Sequence, residues 1–147
     1  MNKNTNVLGQ FYSVWRETNA VYDDWAQSHG LSANETIILQ ALLEDEKPCT
    51  QKSICQKWHC PKQTVNTILR NYQKMGYVQL HALPADKRNK EIVLTQAGTQ
   101  YAESIINKLH QREIHVMNQM GEEKIAQLNS LMAEFSTCFK EQEDDHA

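Results

Sequence analysis

The segment from Lys47 to Lys90 holds nine Lys or Arg residues, at 47, 52, 57, 62, 70, 74, 87, 88 and 90, and a single acid, Asp86. Its net charge of +8 sits in a chain whose overall charge is −3, so the remaining residues carry −11. Cations gathered this way suit a polyanion such as the phosphates of a nucleic acid, met by one local face rather than by a basic coat. Within the segment, Gln63, Asn66 and Thr67 donate and accept hydrogen bonds as base edges require. Arg70 suits guanine or phosphate, and Lys62 and Lys74 suit phosphates as point charges.

Other chemistries fit less well. The four cysteines, at 49, 55, 60 and 138, form no C-x-x-C pair, and the adjoining His59 and Cys60 match no zinc spacing, so no metal is expected. His110 and His115 stand about 140° apart on a helix, too far round to share an ion. Cys60 is the one candidate for thiol redox chemistry, because it lies beside a helix start and several lysines; burial would oppose that role, and packing is favoured. The chain has no P-loop, no G-x-S-x-G and no H-E-x-x-H, so neither catalytic residues nor a cofactor are assigned and no enzyme is expected. No run of about 18 apolar residues occurs, and the start from Met1 to Asn6 is polar, so the expectation is a cytoplasmic protein with reduced thiols and no membrane partner.

The elements that must position these residues are legible in the periodicity. Leu8, Phe11, Trp15, Thr18, Tyr22 and Trp25 recur at three and four residues, one stripe of a helix that Gly30 ends. Ser32 and Glu35 form an S-x-x-E capping box ahead of Ile38, Leu39, Leu42 and Leu43, and Lys47-Pro48 interrupts that second helix. Thr50 caps a two-turn helix with Ile54, Cys55 and Trp58, and Pro61 opens another that runs to Met75 before Gly76. So brief a link predicts a steep crossing, a helix-turn-helix. On a 100° wheel the second of these helices turns Val65, Ile68, Leu69 and Tyr72 inward and Gln63, Thr67, Arg70 and Lys74 outward.

Tyr77 to Leu80 and Ile92 to Leu94 read as two strands of a hairpin, with the turn-rich segment Pro84 to Asn89 as its polar tip. Thr95 caps a helix with Tyr101, Ile105 and Leu109 on one face. Beyond Gly121, Ile125, Leu128, Met132, Phe135 and Phe139 keep the steps of a coiled-coil seam. Asp144 and its acidic neighbours are expected to fray into solvent.

Ile54 to Val78, with Thr64-Val65 and Gly76, resembles the helix-turn-helix of the MarR family of winged-helix regulators. Asp86-Lys87-Arg88, followed by Leu94-Thr95 and Gly98, resembles that family's D-x-R and L-T-x-x-G wing signature. The likeness extends over nearly the whole chain. It implies a mainly α fold with a two-stranded antiparallel wing: one domain over 1–147, with residues 32–98 as DNA-binding lobe and 7–30 and 99–140 as dimerisation helices. The DNA-facing set it implies is Lys62, Gln63, Thr64, Asn66, Thr67, Arg70, Lys74, Asp86, Lys87 and Arg88, with Arg88 in the minor groove and Asp86 positioning it. Physics adds that an acid on such a tip should pair with a nearby cation.

The sequence departs from the family at Cys60-Pro61, where relatives place an apolar residue and then Ser or Asp, and at Thr67, where many have arginine. It also lacks the first-helix cysteine of the family's peroxide sensors, having none before Cys49. The implied function is a homodimeric transcriptional regulator, a repressor on a palindromic operator, released by a small aromatic effector held near Tyr12, Trp15 and Trp25. The readings set against it are a redox-sensing regulator using Cys60 and a winged helix that binds an acidic protein instead of DNA.

Overall fold

The structure, a computed structural model, describes residues 3–141; Met1, Asn2 and the acidic end around Asp144 lie outside the described residues. The described residues form two compact units, one up to Ile106 and one from Asn107.

The first unit begins with α1 (Lys3–Ser28). Gly30 ends it at φ 73°, a left-handed conformation that favours glycine, while the Leu31 amide reaches back to the Ala26 carbonyl at 2.9 Å. Only Ala26 of α1 is buried, so the aromatic stripe lies largely open in a lone chain. In α2 (Ala33–Glu44) the expected capping box forms in both directions: the Glu35 amide donates to Ser32 Oγ at 3.2 Å and the Ser32 amide to Glu35 Oε2 at 2.6 Å. α3 (Gln51–Trp58) starts with a second box, between Thr50 and Ser53, and ends at His59, which adopts φ 52°. That left-handed residue, with Cys60 and Pro61, makes the tight turn into α4 (Lys62–Lys74).

Ile38, Leu39, Ile54, Val65, Ile68 and Leu69 pack with Val78 and Ile92 of the hairpin and with Ala102 and Ile106 of the next helix into one core. Cutting a fully enclosed member such as Leu39 to alanine costs about 2 to 5 kcal/mol, because the cavity cannot collapse completely.

The hairpin pairs β1 (Val78–Leu83) with β2 (Asp86–Leu94) antiparallel, from Val78 opposite Leu94 to Ala82 opposite Lys90, with an irregularity before Leu83 meets Asp86. Its arms are longer than the sequence predicts. Asp86 to Asn89 belong to β2, and the turn shrinks to Pro84-Ala85. The tip has no buried face, so its residues show no alternation, and backbone pairing alone extends the strands. At the root, the Ile92 amide donates to the Cys49 carbonyl at 2.8 Å and Thr50 bridges to Glu91, which ties the wing to the start of α3.

α5 (Gln96–Met120) begins at Thr95, whose hydroxyl donates to the Gly76 carbonyl at 2.6 Å and accepts from the Gly98 amide at 3.0 Å. A Cβ on Gly98 would stand 1.9 Å from the Tyr77 carbonyl oxygen. The L-T-x-x-G pattern is thus explained by contact: threonine ties the end of α4 to the start of α5, and glycine allows the backbones to meet.

In the second unit, α5 runs to Met120, Gly121 turns the chain at φ 90°, and α6 (Glu122–Glu141) follows. No residue of α6 is buried, and Phe139 is 64% exposed. The predicted seam is therefore an open apolar face in a single chain.

Candidate nucleic-acid interface

α4 divides as the wheel predicts. Val65, Ile68, Leu69 and Tyr72 are buried, and Lys62, Gln63, Asn66, Thr67, Arg70 and Lys74 are exposed, with Thr64 half-buried at the edge. Burying four residues fixes the rotation of the helix, and that rotation aims the polar face outward. The Thr67 hydroxyl donates to the Gln63 carbonyl at 2.9 Å, so its proton is engaged, and it offers an incoming group lone pairs and a methyl. Pro61 supplies no side-chain cap, and a separate bond ties the first residue of α4 to α3, Gln51 Nε2 donating to the Lys62 carbonyl at 3.1 Å.

On the wing, the Asp86 carboxylate accepts from the Arg88 amide at 3.0 Å and from Asn89 Nδ2 at 2.8 Å. The Arg88 amide, then the Asn89 side chain, hold this carboxyl below its ordinary range, with a smaller contribution from the charge of Lys52. Where the sequence leads one to expect a cation as partner, the carboxylate is held by a backbone amide and a side-chain amide. Two amide donors satisfy the carboxylate locally and shape the turn, leaving the Arg88 side chain exposed.

Between α4 and the wing lies a concavity of about 200 Å³, walled by Asn66, Arg70, Gln73 and Gln51 on one side and Arg88 and Lys90 on the other. Its floor is Leu69, Leu80 and Ile92. Arg70 and Arg88, 18 residues apart in the chain, thereby share one surface. Lys62, Gln63, Thr67, Lys74, Lys87 and Asp86 do not line it. Gln51 and Gln73 were missed from sequence: both are neutral, and only the hairpin folding beside α4 gives them a common wall.

Among the described residues, Lys47 and Lys57 of the nine cations are engaged by groups of this chain. Lys47 Nζ donates to the Leu42 carbonyl at 2.8 Å, at the end of α2. Lys57 pairs with Asp45, which is buried and also accepts from Trp58 Nε1 at 2.8 Å, and Lys57 Nζ lies 5.4 Å from the centre of the Trp58 ring. An acid only two residues before the basic segment thus draws on that segment's charge.

Cys60 is buried, with Sγ 3.6 Å from the Trp58 carbonyl, and burial pushes its thiol up, the opposite of what reactive thiols need. Burial likewise raises Cys49. Among the described residues no group of three or more His, Cys, Asp or Glu could hold a metal ion, and no helix is long and apolar enough to cross a membrane. Tyr12 and Trp15 stand half-exposed, and Trp25 stacks on His29 at 4.1 Å.

Comparison with known proteins agrees with this geometry. The sequence profile described as MarR family matches residues 29–89, from the end of α1 through the helix-turn-helix to the wing tip. The transcriptional regulator SarZ of Staphylococcus haemolyticus is 28% identical over 87 residues, 59% of this chain and 58% of its own length. SarZ of Staphylococcus epidermidis is 26% identical over 113 residues, 77% of this chain and 75% of its own. Among solved structures, a MarR family regulator from Neisseria meningitidis superposes over 100% of both chains, with a TM-score of 0.83 at 23% identity. The Staphylococcus aureus MepR–DNA complex matches 94% of this chain and 98% of the MepR chain, with a TM-score of 0.71 at 19% identity. At these identities the structural likeness speaks for the winged-helix fold.

Proposed function

We propose that this chain is a regulator of the MarR family, whose profile its residues 29–89 match, and that it reads duplex DNA as a homodimer in the cytoplasm. The observation that supports this reading most is the concavity that Arg70 and Arg88 line together, which lets one lobe address a major groove with α4 and the adjoining minor groove with the wing. Residues 32–98 act as the DNA-binding lobe, with Lys62, Gln63, Thr64, Asn66, Thr67, Lys74, Asp86 and Lys87 completing the contact surface around the two arginines. Among the structures of like fold, MepR is in complex with DNA, which supports DNA as the ligand of this chain.

The helical parts, 7–30 and 99–140, form the dimer. The open faces of α1 and α6 are the surfaces a second copy would cover, and a two-fold pair presents two reading helices to half-sites about 34 to 36 Å apart. The sign of action is repression by occupancy, relieved when a small aromatic molecule near Tyr12, Trp15 and Trp25 favours a different spacing of the two heads. The redox alternative has a weaker footing, since Cys60 is enclosed and its thiol raised.

Selection of duplexes from a random pool, followed by titration against salt, tests the proposal. An inverted repeat should emerge, with affinity falling steeply as salt rises. Absence of any enriched duplex, together with a flat salt dependence, would assign the basic face to an acidic protein instead.

A further inference from the structure

Residues 49 to 51 hold three parts of the lobe at once. The Cys49 carbonyl accepts from Ile92 of the wing at 2.8 Å, Thr50 caps α3 and bridges to Glu91, and the Gln51 side chain reaches the first residue of α4 at 3.1 Å. The reading helix has no side-chain cap at Pro61, and Gln51 ties its first residue to α3. Gln51 also faces the concavity that Arg70 and Arg88 share. We infer that Gln51 is a positioning residue: by joining the start of α4 to the wing root, it sets how far the reading helix stands from the wing arginine and so governs discrimination between duplexes.

The inference rests on the DNA-reading proposed above, and it makes a claim of its own about the chain. A glutamine amide donating to a backbone carbonyl carries no charge, so the tie restricts geometry without adding to the electrostatic attraction for phosphates. Its loss should leave non-specific binding and its salt dependence alone and should reduce only the advantage of the correct sequence.

Gln51→Met keeps the length and charge of the side chain and removes the donor. Hydrogen exchange of the full-length protein would follow the Val65 amide, which donates to the Pro61 carbonyl at 3.1 Å within that first turn. Faster exchange by about three- to tenfold is expected, the range of one ordinary hydrogen bond, with Tm lowered by no more than about 5 °C. The ratio of operator to non-operator affinity should fall by a similar factor while the log-log salt slope stays at the wild-type value. Unaltered exchange at Val65 would overturn the tie itself. Faster exchange with an unaltered affinity ratio would overturn its role in discrimination, and a reduced salt slope would overturn the purely geometric role, because it would mean that losing the tie also withdraws a cation of the lobe from the phosphates. If wild type prefers no duplex, the DNA-reading proposal fails, and the exchange result still decides whether Gln51 holds the first turn of α4.

Discussion

Replacing Lys57 by methionine separates two roles that a lysine in a basic segment can have. In the structure it pairs with Asp45, whose side chain is 6% exposed while that of Lys57 is 60% exposed. Without the ammonium, the buried carboxylate keeps the Trp58 indole and loses its charge partner. Removing one partner of a fully buried pair costs about 3 to 5 kcal/mol. Because Lys57 stands mostly in solvent, where screening weakens the pair and water can replace part of the loss, about 1 to 3 kcal/mol is the reasoned range. For a chain of this size that is a fall of roughly 3 to 10 °C in Tm, measured by calorimetry at fixed protein concentration. DNA titrations should meanwhile give the wild-type log-log salt slope, since a lysine committed to Asp45 releases no counterion. A lysine that met phosphate in each subunit would flatten that slope by about 1.8 for the dimer, at about 0.9 per contact. An unchanged Tm with a slope reduced by that amount would refute the assignment and return Lys57 to the DNA surface.

Arg70→Ala should cost about 1 to 3 kcal/mol and relax preference at one position in each half-site, whereas Arg88→Ala should lose affinity mainly where the flanks are A·T-rich; titration against operator and flank-altered duplexes distinguishes them. Gly98→Ala should cost about 3 kcal/mol, the upper end for overpacking, in chemical denaturation, because the new methyl meets the Tyr77 carbonyl and backbone must move. Light scattering should report twice 17.0 kDa for wild type, and Phe135→Glu with Phe139→Glu should give monomers; a dimer persisting in that variant places the interface elsewhere. Peroxide should leave DNA binding alike in wild type and Cys60→Ser, and a change seen only in wild type would revive the thiol switch.

What could be read from sequence was local. The Ser32 and Glu35 box, the Gly30 and Gly76 stops and the inward face of α4 each depend on residues within one or two turns, and each formed at the expected place. The wing arms were underestimated because strand pairing at an exposed tip leaves no alternating pattern to detect. Counting cations overstated the free charge for a related reason. Asp45 sits outside the basic segment, and only the packing of α2 against α3 brings it to Lys57. Gln51 was invisible for the same cause: the carbonyl it holds is 11 residues away, across a turn whose geometry no periodicity encodes.

The Thr95 and Gly98 junction has a mechanical consequence. The Gly76 and Tyr77 carbonyls, the Thr95 hydroxyl and the Gly98 backbone fill the space where α4, the wing and α5 meet, and even one methyl group finds no room there. A joint so closely filled transmits displacement and cannot absorb it. A tilt imposed on the first turns of α5 would therefore reach the end of α4 and both wing strands together, and the three would swing as one piece.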